Sequence, residues 1–177
     1  METILFYNLK ATGKPRWNLK ADHEKQPHIT ELSAMLVNAE TQETIHSVNL
    51  VIKPDGWVND PENGNEDLGI SEAWATMMLF QMWQGATRVT FDKKINQKII
   101  KYAIARFLQP GLIKLWANKK KHECIKDITR KEFVVSDPSL TDCANLFVGV
   151  SADTEILNDN LCMIRNVYFA SKIKALD

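Results

Sequence analysis

A mixed α/β fold, a central mixed sheet flanked by helices, is predicted by the order of elements along the chain. Three strand-like segments come first, and helices interspersed with one further strand follow. Size and composition agree: 177 residues with 45% apolar and 25% charged side chains suffice for a substantial core, so a single domain over residues 1–177 is expected. No window approaches the ~18 consecutive apolar residues of a membrane span, and the N-terminus lacks a basic segment leading into an apolar run. Neither membrane association nor secretion is therefore expected. Cys124, Cys143 and Cys162 are odd in number and widely spaced, which indicates neither a disulfide framework nor a zinc site and fits a reducing cytoplasm. Lys plus Arg and Asp plus Glu balance at 22 each, so any nucleic-acid contact has to come from a local basic face.

The first strand is the apolar, β-forming run over residues 3–9, and residues 29–38 alternate in part between apolar and polar and form the second. Gly13 to Pro27, with two prolines and many polar residues, reads as a long loop. Glu40 to Glu43 makes a hairpin turn into a third strand from Ile45 to Lys53, which Pro54-Asp-Gly56 stops. The acidic, Pro- and Gly-containing stretch from Val58 to Gly69 is an exposed loop, and Ser71 is an N-cap for a helix from Glu72 to Gln84. That helix is apolar on most sides, so it is either deeply buried or partly a contact surface. Arg88 to Asp92 is a short strand, and Lys93 to Leu108 is an amphipathic helix that Pro110-Gly111 closes. Residues 114–131 form a basic stretch. A short helix follows Pro138-Ser139, and a last helix covers Asp159 to Lys174.

Residues 4–13 read Ile-Leu-Phe-Tyr-Asn-Leu-Lys-Ala-Thr-Gly, which resembles the opening motif of DnaQ-like, DEDDh-type 3′→5′ exonucleases. In that family an aromatic strand runs into D-x-E-T-T-G, and both acids hold divalent metal. The resemblance covers nearly the whole chain and is to a group found in bacterial viruses. Leu68-Gly-Ile-Ser71 stands where the family has H-G-I-T, and Phe91-Asp92 matches the end of H-N-x-x-F-D. Pro138-Ser-Leu-Thr-Asp-Cys-Ala-Asn-Leu-Phe-Val-Gly149 is similar to P-x-L-x-E-A-Y-x-x-F-x-G, and Asn158-Asp-Asn-Leu-Cys-Met-Ile-Arg165 to H-D-A-L-A-D-V-R. The resemblance implies an RNase H-like fold. It also places Asn8, Lys10, Asp92, Asn158 and Met163 at the five catalytic positions, of which only Asp92 retains the family's residue.

Two-metal hydrolysis needs several convergent carboxylates to offset dications ~4 Å apart, and a histidine to deprotonate the attacking water. Asn8 is neutral, Met163 is a soft thioether that hard cations avoid, and Asn158 is no general base near neutral pH. Lys10 puts a positive charge where the family has a metal ligand, and an Asp92–Lys10 ion pair is the expected replacement for the metal. No catalytic residues, no metal and no cofactor are therefore expected, and the chain reads as a pseudoenzyme. Nor does the sequence offer a Ser/His/Asp arrangement, a Gly-rich phosphate loop or a metal-spaced His/Cys cluster for other chemistry.

The expected role is binding of single-stranded nucleic acid or a 3′ end without hydrolysis. Trp17 and Trp57 would stack bases, and Lys10, Lys119, Lys120 and Lys121 would meet phosphates. The alternative is a protein-interaction module of anti-defence type that inhibits or assists a host or viral nucleic-acid enzyme. It would use the segment Trp74 to Trp83 or the acidic loop Asp60 to Asp67. Residual metal-dependent exonuclease activity is the third reading. No membrane and no small-molecule substrate are expected as partners.

Overall fold

A computed structural model describes residues 1–54, 69–118, 121–149 and 157–174, the last segment without side chains for 157–159. Five strands form one mixed sheet in the order β3-β2-β1-β4-β5: β1 (Thr3–Ala11), β2 (Ile29–Asn38), β3 (Thr44–Val51), β4 (Thr87–Thr90) and β5 (His122–Cys124). β1 pairs antiparallel with β2 and parallel with β4; β2–β3 is antiparallel and β4–β5 parallel. The expected mixed sheet is thus observed. β1 is central, and its apolar run is unbroken because both of its faces are covered.

Alternate residues of β1 divide the core into two halves. Leu5, Tyr7 and Leu9, with Leu32 and Ala34 of β2, pack against α1 (Glu72–Trp83), α2 (Lys93–Phe107) and α3 (Pro110–Trp116). Ile4 and Phe6, with Met35 and Val37, face α4 (Ile125–Phe133), α5 (Leu140–Val148) and α6 (Leu157–Lys174). The result is a helix–sheet–helix sandwich whose period-2 strands feed two cores at once.

The helices start where the sequence places capping side chains. Ser71 Oγ accepts from Trp74 N at 3.3 Å, and Ser139 with Asp142 forms a reciprocal capping box at α5. Two expectations are corrected. Asp92 does not end a strand but caps α2, its Oδ1 accepting from Ile95 N at 3.1 Å. Pro110-Gly111 does not merely close α2: Pro110 opens α3, where a fixed φ and a missing N–H cost nothing at the first helical position. The basic stretch 114–131 also resolves into the end of α3, β5 and α4 around residues 119–120, which lie outside the described set.

The helix predicted from Glu72 is neither wholly buried nor wholly a surface. Ala75, Thr76 and Leu79 of α1 are buried, while Trp74 is 61% exposed. At the entry to α1, Gly69 lies against the exit of β3: a Cβ there would stand 2.5 Å from Lys53 N and 2.7 Å from Val51 O. Only glycine allows that approach, through which Ile70 N donates to Val51 O and Lys53 N to Ile70 O, each at 3.0 Å.

Candidate nucleic-acid interface

β1 and β4 run parallel, with Phe6 opposite Val89, so Asn8 and Lys10 reach the same edge of the sheet as the β4 exit that carries Asp92. Met163 lies on α6, which packs on β1 and β4. The sheet therefore gathers Asn8, Lys10 and Asp92 at one end. The side chain of Asn158 lies outside the described residues, as do Trp57, Lys119, Lys120, Leu68 and the acidic loop Asp60 to Asp67.

Each gathered group already has a local task. Asn96, one turn into α2, donates through Nδ2 to Thr90 Oγ1 at 2.7 Å and to Asn8 Oδ1 at 3.4 Å, a neutral network where the resemblance calls for charge. Lys10 does not reach Asp92. Its Nζ lies 3.1 Å from Glu31 Oε1, because Lys10 and Glu31 are directly opposed in the antiparallel β1–β2 register and opposite charges there pair across the strands. The expected Asp92–Lys10 pair is thereby corrected, and Asp92 spends its carboxylate on the N-terminus of α2. Met163 is half-buried against the core cluster that includes Phe6, Val89 and Ile164.

The two-dication arrangement implied by the resemblance does not fit these residues. The one carboxylate, Asp92, acts as a helix cap, an ammonium paired with Glu31 stands at Lys10, and a thioether and an amide fill the remaining described positions. Among the described residues no group of three or more His, Cys, Asp and Glu side chains is placed to hold a metal ion.

Beside this edge lies a basic and aromatic surface. Gln26, almost fully buried, folds the loop between β1 and β2 on itself: its Oε1 accepts from Arg16 N, and its Nε2 donates to the carbonyls of Arg16, Leu19 and Lys20. Thr12 and His28 close the base of the loop through Thr12 N to His28 O at 2.9 Å and His28 N to Thr12 Oγ1 at 3.0 Å. The loop so held presents Trp17, 56% exposed, to α2, where Lys94 and Lys98 each bring Nζ to 5.3 Å from the indole centroid. Asp92 caps that same helix two residues before Lys94. Sequence reasoning named Trp17 but missed its partners; the available signal was the i, i+4 spacing of Lys94 and Lys98 on the face opposite the apolar stripe.

Lys121 is not part of this surface. Its backbone carbonyl accepts from Arg88 N and its Nζ bonds Gly85 O at 3.4 Å, both at the start of β4, so it stands at the opposite end of the sheet from Asn8 and Asp92. A second cluster missed from the sequence is fully structural: buried Glu72 accepts from Ile29 N at 3.0 Å, contacts His28 Nδ1 at 2.7 Å and pairs with Arg106 at 2.8 Å, tying β2, α1 and α2 together.

No protein-family model matches the sequence, and no curated protein matches it. Solved structures match over almost its full length. Exonuclease I of E. coli in complex with a dT13 oligonucleotide superposes with a TM-score of 0.71 at 12% identity, over 98% of this chain and 41% of that one. The nuclease domain of 3′hExo, described as a DEDDh family member bound to rAMP, gives 0.67 at 14% identity over 98% of this chain and 92% of that one. Cell-death related nuclease 4 gives 0.69 at 11% identity over 99% of this chain and 64% of that one. The chain thus has the RNase H-like fold of DnaQ-like exonucleases, and it spans less than half the length of exonuclease I.

Proposed function

We propose that this protein binds a single strand of nucleic acid along the edge that carries Asn8, Lys10 and Asp92, and does not hydrolyse it. The observation that carries the reading is Trp17, an exposed indole held by a Gln26-organised loop beside Lys94 and Lys98, next to the helix that Asp92 caps. An exposed aromatic face with flanking ammonium groups suits a stacked base and its phosphates. Two of the solved structures with this fold are described as complexes with nucleic acid, exonuclease I with dT13 and a 3′-exonuclease recognising a histone mRNA stem-loop. The absence of hydrolysis is argued from the residues. Lys10 is committed to Glu31, Asp92 to the α2 cap, and Asn8 to a neutral network, which leaves too little negative charge to gather two dications.

The test is equilibrium binding of labelled single-stranded DNA to the full chain and to Trp17→Ala. A stacked base contributes about 1–3 kcal/mol, so Trp17→Ala is expected to weaken binding by about tenfold or more. Unchanged affinity would remove the proposed platform. The second reading, a protein-interaction module, is supported by Trp74, which α1 leaves 61% exposed. A stoichiometric partner co-purifying in the absence of nucleic acid, and lost in Trp74→Ala, would favour it.

A further inference from the structure

At the end of the sheet away from Asn8 and Asp92, a cavity of about 430 Å³ opens between the last turn of α1, the start of β4 and α3. Phe80, Trp83, Leu112 and Leu115 supply apolar walls, and Arg88 and Lys121 are the charged groups among its described lining residues. Among its described lining residues there is no carboxylate. Arg88 is fully buried; its guanidinium lies 4.9 Å from the Trp83 ring centre and 4.5 Å from that of Trp116, and it donates to the carbonyls of Trp116 and Asn118. Its Nε has no hydrogen-bond partner among the described residues.

A buried cation without a counter-ion is costly, and two carbonyls and two indole faces offset that cost only in part. Burial lowers the Arg88 pKa to about 10, so the group stays charged at neutral pH. His122, opposite Arg88 in the β4–β5 register, is buried, and its Nδ1 has no partner among the described residues. Burial, Arg88 and Lys93 together hold His122 neutral. Within the described lining, the charges of Arg88 and Lys121 therefore stand without a carboxylate beside them, bordering an aromatic cavity of the size that takes small ligands.

We propose that this cavity binds an aromatic organic anion, with its ring against Trp83 and Phe80 and its acid group toward Arg88 and Lys121. The site is independent of the nucleic-acid edge.

The test is fluorescence titration of the full chain with 8-anilinonaphthalene-1-sulfonate and with the uncharged N-phenyl-1-naphthylamine. Because Arg88 is a core residue, the charge is probed at exposed Lys121, with Lys174→Glu on α6 as the control for overall charge. We expect saturable binding of one sulfonate per chain, weakened about tenfold by Lys121→Glu and less than about twofold by Lys174→Glu, with the uncharged analogue bound about tenfold more weakly. Equal effects of the two substitutions, or equal affinity for the charged and uncharged probes, would overturn the proposal.

Discussion

Lys10 and Glu72 both sit in ion pairs, yet their surroundings give them opposite weight. The Lys10–Glu31 pair is 49% and 35% exposed at its two side chains, so water screens it, and Lys10→Ala is expected to change unfolding free energy by about 1 kcal/mol or less. Glu72 is 1% exposed, and Glu72→Gln would leave the nearly buried Arg106 without its carboxylate, at a cost of about 3 kcal/mol or more in urea unfolding. His122 makes a third residue-scale prediction. Its folded pKa is depressed from 6.5 to about 2, so the unfolded chain takes up a proton first as pH falls. The stabilisation from neutral His122 is complete above pH 6.5 and declines below it by about 1.4 kcal/mol per pH unit toward the folded pKa. His122→Asn should flatten the stability profile between about pH 6.5 and 5.5, where carboxylates are still largely ionised; an unchanged slope would contradict the buried neutral imidazole. At this scale the sequence revealed which acids were missing at the edge, because a motif position shows its residue directly. It did not reveal Glu31 as the partner of Lys10, because cross-strand register emerges only when the sheet is assembled.

The long elements were legible from periodicity: β2 runs over the predicted residues, and α1, α2 and α6 begin and end within about two residues of expectation. β5 was not, because three residues are too few to display a period, and α3 and α4 were obscured by the lysines between them. The pattern Ile125, Ile128, Thr129 marks the buried side of α4 and was available in the sequence. Two elements carry predictions. Gly69→Ala would drive a methyl into the backbone at Val51 and Lys53, so the 69–70 segment must move off β3, and thermal unfolding should show a loss of about 1–3 kcal/mol. Gln26→Leu keeps the side-chain bulk but loses the hydrogen bonds that fold the β1–β2 loop. It should weaken oligonucleotide binding as Trp17→Ala does and speed proteolysis within residues 13–25, although Gln26 itself is buried away from any strand.

Across the molecule, the sheet separates two kinds of surface. One end joins Asn8, Lys10 and Asp92 to the Trp17, Lys94 and Lys98 face; the other holds Arg88 and Lys121 around an aromatic cavity. The chain is electrically neutral overall, so the proposed strand binding has to rest on the first of these faces rather than on bulk charge. Lys94→Ala with Lys98→Ala should therefore lower the slope of log affinity against log salt by about 1.4, at ~0.7 per phosphate released. The proposed role of this edge is to retain a strand without cutting it. Its most direct test incubates 3′-labelled and 5′-labelled single-stranded DNA with the full chain in Mg²⁺ and in Mn²⁺, scoring both retention and length. The expected result is a retained strand of unchanged length in either metal; progressive shortening that disappears in Asp92→Ala would contradict the account.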